Sequence, residues 1–95
     1  MKPTGIFINT GRGGLVNQPD LHYALTNNVI TAAALDVTTP EPLPATHELM
    51  TLPNCIITPH IGSATHEARL EMANMAVDSI IESLQGRTPT TRVTL

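Results

Sequence analysis

Arg12, Glu41 and His60 each stand just beyond a short apolar segment of this chain. A guanidinium binds a carboxylate with two parallel hydrogen bonds, an imidazole gives or takes a proton near neutral pH, and a carboxylate orients an imidazole through a charge-assisted hydrogen bond. Together they make an anion clamp, an acid and its orienter, a set that could grip an anionic substrate and move a proton onto it. Each has a plainer reading alone: Arg12 as a surface arginine paired with a nearby acid, Glu41 as a loop residue between two prolines, His60 as a strand-end residue. Their joint spacing favours chemistry.

The segments that must position them are 5–9, 32–36 and 55–59, short apolar runs between turn signals, which is how strands buried on both faces read. In an open α/β sheet, ligands bind outside the carboxyl ends of parallel strands, where all three residues would then lie. Asn17-Gln18-Pro19-Asp20 has the form of a helix start, with Asn17 as cap, Pro19 in the first turn and Asp20 at the positive end of the helix dipole. That helix should run to about Thr26, which makes strand, helix, strand a parallel βαβ step. From Thr38 to Pro53 the chain carries Pro40, Pro42, Pro44 and Pro53, enough to forbid a regular element except one turn at His47-Glu48-Leu49-Met50. It reads as a shaped loop that holds Glu41 in a defined direction.

Thr65 begins the longest helix, and Gly86 is its stop. Ala68, Met72, Ala73, Ala76, Val77, Ile80, Ile81 and Leu84 fall on one stripe of it, so one face should be buried, with Met72 and Met75 as core filler. Three strands and a short helix do not suffice to cover that stripe, which points to packing on further chain. The expected organisation is therefore α/β, with three short parallel strands, one short helix and one long C-terminal helix: residues 1–64 carry the sheet, 65–86 the long helix and 87–95 an extended tail.

Bulk properties narrow the classes. Ninety-five residues with 41% apolar and 14% charged content describe at most one globular domain, and the net charge of −3 includes no basic block to attract nucleic acid or an anionic membrane. No apolar run approaches the ~20 residues that span a bilayer, and no secretion signal is evident at the N-terminus. The single Cys55 fits a reducing compartment, so a cytoplasmic location is expected. His47, Cys55, His60 and His66 lack metal-site spacing, and no metal is expected. Cys55, mid-strand and without a neighbouring cation, is no activated nucleophile. Ser63 lacks the nucleophile-elbow glycines and reads first as a helix cap, with ligand contact as the alternative. Asp36 is a turn former or an acid facing the ligand crevice. His22 reads as a helix-surface residue.

Ile8-Asn9-Thr10-Gly11-Arg12-Gly13, Leu35-Asp36-Val37 with Glu41-Pro42, and Thr58-Pro59-His60-Ile61-Gly62-Ser63-Ala64-Thr65 resemble, in order and spacing, the C-terminal signatures of the D-isomer-specific 2-hydroxy acid dehydrogenases. The resemblance covers essentially the whole chain and implies the second half of a Rossmann-type doubly wound parallel sheet, with residues 1–64 as the C-terminal part of the nucleotide-binding domain. Glu41-Pro42-Leu43-Pro44, His47 and Leu52-Pro53-Asn54 are most similar to the branch that reduces glyoxylate and hydroxypyruvate.

The resemblance implies NADPH or NADH as hydride donor and a small 2-oxo acid as substrate. His60 would protonate the carbonyl oxygen, Glu41 would hydrogen-bond His60 and favour its protonated form, and Arg12 would bind the substrate carboxylate. The backbone around Thr10, Gly11 and Gly62, together with Arg12, Asp36 and His60, would line the cofactor, and Asp36 and Ser63 would join Arg12 and His60 in substrate binding. It further implies a homodimer in the full-length form, a long helix that returns to the substrate domain, and a Gly-x-Gly-x-x-Gly turn upstream, which this sequence lacks. The chain thus reads as a C-terminal fragment carrying the catalytic trio and inactive by itself. The competing expectation is a noncatalytic dimerisation or docking module built on the same fold.

Overall fold

The computed structural model describes residues 1–94. They fall into two compact units, 1–62 and the described residues from Ser63 onward. The first is built on a parallel sheet of strands β1 (Ile6–Asn9), β2 (Ala32–Leu35) and β3 (Cys55–Ile57), in that order, with β2 central. The register pairs Ile6 with Ala32 and Ala33 with Cys55, so the three carboxyl ends lie at one edge. Observed strands are a residue or two shorter than the apolar runs, because Asp36, Thr58 and Pro59 already belong to the loops.

Helix α1 (Gln18–Thr26) makes the crossover between β1 and β2. It begins where expected: the Asn17 side chain accepts the Asp20 amide, and Pro19 sits in the first turn, where no intrahelical donor is lost. Its inner residues Leu21 and Leu25 pack with Ile30, Ala33, Leu35 and Leu49 into the core, and Phe7, Cys55 and Ile57 border it. Leu49 arrives on a 3₁₀ turn, Glu48–Thr51, the helical turn of the proline-rich loop; His47 caps it by accepting the Leu49 amide through Nδ1 at 3.2 Å. At the opposite end of the sheet, the Asn54 Nδ2 donates to the carbonyls of Leu25 and Thr31, both at 3.2 Å.

Two expectations about burial are corrected. The strands are not buried on both faces: Phe7, Ala33, Leu35, Cys55 and Ile57 turn toward α1, whereas Ile6, Ile8 and Ile56 are 59%, 67% and 66% exposed. In the second unit, helix α2 (His66–Leu84) buries none of its residues. Its apolar stripe, including Met72, Val77, Ile80 and Leu84, is exposed, so Met72 and Met75 are not core filler. The cause is the same for both: each element has the pattern of one packed on another layer, and 94 described residues do not supply that layer.

The cap of α2 is Thr65, whose hydroxyl accepts the Ala68 amide at 3.1 Å, rather than Ser63. Gly86 follows the helix at φ +73°, the left-handed conformation that ends helices at low cost in glycine. Leu95, the last residue of the expected tail, lies outside the described residues.

Candidate active site

The carboxyl ends of β2 and β3 and the proline-rich loop enclose a cleft of about 430 Å³. Asp36, Thr38, Glu41 and His60 supply its polar wall, and Leu43, Met50 and Ile57 face them. His60 Nδ1 meets Glu41 Oε1 at 2.5 Å, a carboxylate–imidazole pair half exposed on both sides. The bond from His60, above all, holds the Glu41 carboxyl below the usual carboxylate range, helped by the Thr38 amide and the charge of Arg12 and opposed by partial burial.

His60 is held in an uncommon backbone conformation. Its φ is +54°, in the left-handed region that non-glycine residues rarely occupy and that recurs at functional sites. The constraint comes from Asp36, which is 8% exposed at the end of β2. Asp36 Oδ1 accepts the Thr58 hydroxyl at 2.6 Å and the Ile61 amide at 2.8 Å, while Oδ2 accepts the Gly62 amide at 2.7 Å. Donors before and after His60 therefore converge on one carboxylate, which fixes the loop that presents the imidazole. The Thr58 hydroxyl first, then the Ile61 and Gly62 amides and the charge of His60, keep the Asp36 carboxyl below its ordinary range against the opposing effect of burial.

Arg12 lies on the loop after β1, in an extended conformation. It is outside the residues lining the cleft, although its charge reaches Glu41. Its Nη1 donates to the Gly11 carbonyl at 2.6 Å. Asn9 staples this loop: its Oδ1 accepts the Gly11 amide and its Nδ2 donates to the Arg12 carbonyl, each at 3.0 Å. The adjoining Gly13 is pressed on the next loop, since a Cβ there would fall 2.1 Å from the Thr38 carbonyl carbon and oxygen. Thr10 and Gly11 are exposed beside Arg12, and Gly62 lies against Asp36, its hypothetical Cβ 3.0 Å from Oδ2. Ser63 falls in the second unit.

The structure thus brings Glu41, His60 and Asp36 together and sets Arg12 on the neighbouring strand end. Asn9, Gln18, Thr38 and Thr58 also shape the site and were not singled out from the sequence. Asn9 carried a readable signal, since Asn two residues before Gly at a strand end favours an Asx turn; the others act through partners 21 or 22 positions away or through local loop geometry. Burial pushes the Cys55 thiol up, so it is no thiolate at neutral pH. Among the described residues, no three His, Cys, Asp or Glu side chains are grouped as metal ligands, and no helix is long and apolar enough to cross a membrane.

Residues 1–62 match the model of the family described as D-isomer specific 2-hydroxyacid dehydrogenase, NAD binding domain. The chain belongs to that family. Human glyoxylate reductase/hydroxypyruvate reductase is 55% identical to this family member over 86 residues, 90% of this chain and 26% of the human protein. A protein of Thermus thermophilus superposes with a TM-score of 0.84 at 48% identity, covering 99% of this chain and 30% of that one. The NADPH-dependent glyoxylate/hydroxypyruvate reductase of Sinorhizobium meliloti, solved with NADP and malonate, gives 0.79 at 33% identity, covering 98% of this chain and 31% of that one. This 2-hydroxyacid dehydrogenase domain segment therefore spans little more than a quarter of the curated relatives it matches.

Proposed function

We propose that the chain is the C-terminal catalytic segment of an NAD(P)H-dependent reductase that converts glyoxylate and hydroxypyruvate to glycolate and D-glycerate, and that it needs the remainder of such a protein to turn over. The observation that carries this reading is the Glu41–His60 pair in a cleft at the carboxyl ends of parallel strands. The activities of the relatives support the substrate class, and the NADP-bound Sinorhizobium structure supports the cofactor class.

The residues fit one end of a dinucleotide. An ionised carboxylate offers about four acceptor positions, and Asp36 uses three of them on Thr58, Ile61 and Gly62, which leaves room for one donor such as a carboxamide N–H. Thr10, Gly11, Arg12 and Gly62 stand at or beside the same strand ends and would complete the nicotinamide side, whereas the dinucleotide-phosphate turn is absent from this sequence. When bound, the reduced nicotinamide supplies hydride to the 2-carbonyl carbon. His60 delivers a proton to the carbonyl oxygen as charge develops there, Glu41 keeps the imidazole oriented, and Arg12 binds the carboxylate of the 2-oxo acid. Asp36 holds His60 at the required angle, and Ser63 contributes to substrate binding. A cytoplasmic, homodimeric full-length protein is part of this proposal.

The test is a chimera in which residues 1–95 replace the matching segment of the Sinorhizobium meliloti reductase. Glyoxylate-dependent oxidation of NADPH, lost on His60→Ala and on Arg12→Lys, supports the reading. A folded chimera that binds NADPH and leaves glyoxylate unreduced rejects it. A second reading, a noncatalytic dimerisation or docking module, is favoured by the exposed stripe of α2; it expects a stable oligomer of the isolated chain that a charge at Val77 or Ile80 dissolves and that Arg12→Lys and His60→Ala leave intact.

A further inference from the structure

We infer that Gln18 is a positioning residue for this site, one whose carboxamide fixes the loop that carries Glu41 and thereby aims the carboxylate at His60. Gln18 opens α1 and is 7% exposed. Its Nε2 donates to the Thr39 carbonyl at 2.7 Å, and its Oε1 accepts the Thr39 amide at 2.8 Å. One side chain thus satisfies both backbone polar groups of a residue 21 positions away. A buried carboxamide is costly unless paired, and here both of its ends are paired to the same residue.

What it holds is the turn that ends at Glu41. The Thr38 hydroxyl donates to the Pro40 carbonyl at 2.9 Å, and the Thr38 amide donates to Glu41 Oε2 at 3.4 Å. That leaves Glu41 Oε1 for His60. Helix α1 does not itself require the Gln18 side chain, because Asn17 already caps its first turn. The two halves of the acid pair consequently have separate anchors: Asp36 holds the His60 loop from β2, and Gln18 holds the Glu41 loop from α1. Among the described residues, the side-chain hydrogen bonds of Gln18 go to Thr39 and none goes to Asp36 or to the donors that Asp36 accepts.

This inference rests on the reading of Glu41 and His60 as orienter and proton donor, yet its test needs no turnover. The carboxyl carbons of Glu41 and Asp36 are followed by NMR through an acid titration of the 95-residue chain as the wild type, Gln18→Met and Gln18→Ala. Methionine keeps the volume without the polar atoms, and alanine opens room for water to pair with Thr39. Asn54→Ala is the control, since it too removes a carboxamide bonded to backbone, here the carbonyls of Leu25 and Thr31 at the far end of the sheet.

In either Gln18 variant the Glu41 midpoint should rise toward the usual carboxylate range while that of Asp36 stays in place, and Asn54→Ala should move neither. An unmoved Glu41 in a folded Gln18 variant overturns the inference. So does a joint shift of Glu41 and Asp36, which marks general loosening, and so does loss of the folded spectrum in both variants, which would make Gln18 a support of the whole unit. A selective Glu41 shift combined with a chimera that fails to reduce glyoxylate would retain Gln18 as positioner and reject the reductase reading.

Discussion

In the proposed reaction the imidazole of His60 acts only while its ring is aimed, and two carboxylates would share that task by different means. Glu41 bonds the ring, whereas Asp36 bonds the backbone on its far side. In the chimera, Glu41→Gln keeps the shape and removes the charge, and should lower turnover by roughly 10²–10⁴-fold, the range for a disrupted general acid; steady-state kinetics with saturating NADPH measure it. Asp36→Asn sets an amide donor against N–H donors that Asp36 now accepts, so the His60 loop should loosen, read as a lower denaturation midpoint and faster exchange of the Ile61 and Gly62 amides. Both carboxyls are held below their ordinary range, so their contribution to stability is complete above that range and disappears as pH falls through the depressed folded values. Denaturation midpoints measured from neutral to acid pH should fall there in the wild type and fall less in the Asp36→Asn variant.

At the scale of elements, the loops rather than the strands carry the site, and each is tied to a regular element by one side chain. Asn9 ties the Arg12 loop to β1, Gln18 ties the Glu41 loop to α1, and Asp36 ties the His60 loop to β2. Gly13 adds a steric condition, because the first two loops touch through its missing side chain. Gly13→Ala must push the backbone around Thr38 aside, an overpacking that costs about 1–3 kcal/mol. Urea denaturation of the variant measures it, and an unchanged midpoint would show that the loops separate freely. Prolines at 40, 42 and 44 made this loop recognisable as a shaped one, yet nothing local in its sequence named Gln18 as its anchor, since that contact joins residues 21 positions apart.

For the molecule as a whole, one face of the sheet and the whole of α2 present apolar side chains that no described residue covers. An isolated helix draws most of its stability from packing, so α2 should open more readily than the central strand, where Ala33 and Leu35 are buried. Hydrogen exchange of the isolated chain should show fast α2 amides and slow β2 amides; protection of α2 equal to that of β2 would show that another surface covers its stripe.

By itself the sequence determined the kinds and order of the elements, because hydrophobic period, capping residues and prolines act over a few neighbours: three strands, a helix capped by Asn17 and a long helix stopped at Gly86, with Arg12, Glu41 and His60 on the loops that follow the strands. It also determined the family, through motifs whose spacing survives without a structure. Only the tertiary structure decided that Gln18 anchors the Glu41 loop through Thr39, that Asp36 spends most of its acceptors on the His60 loop, and that Ile6, Ile8, Ile56 and the α2 stripe face outward. Those outcomes depend on which distant groups compete for the same hydrogen bonds and on which layers are present to bury an apolar face. Periodicity announces that a face seeks a partner; only the packed chain shows whether it has found one.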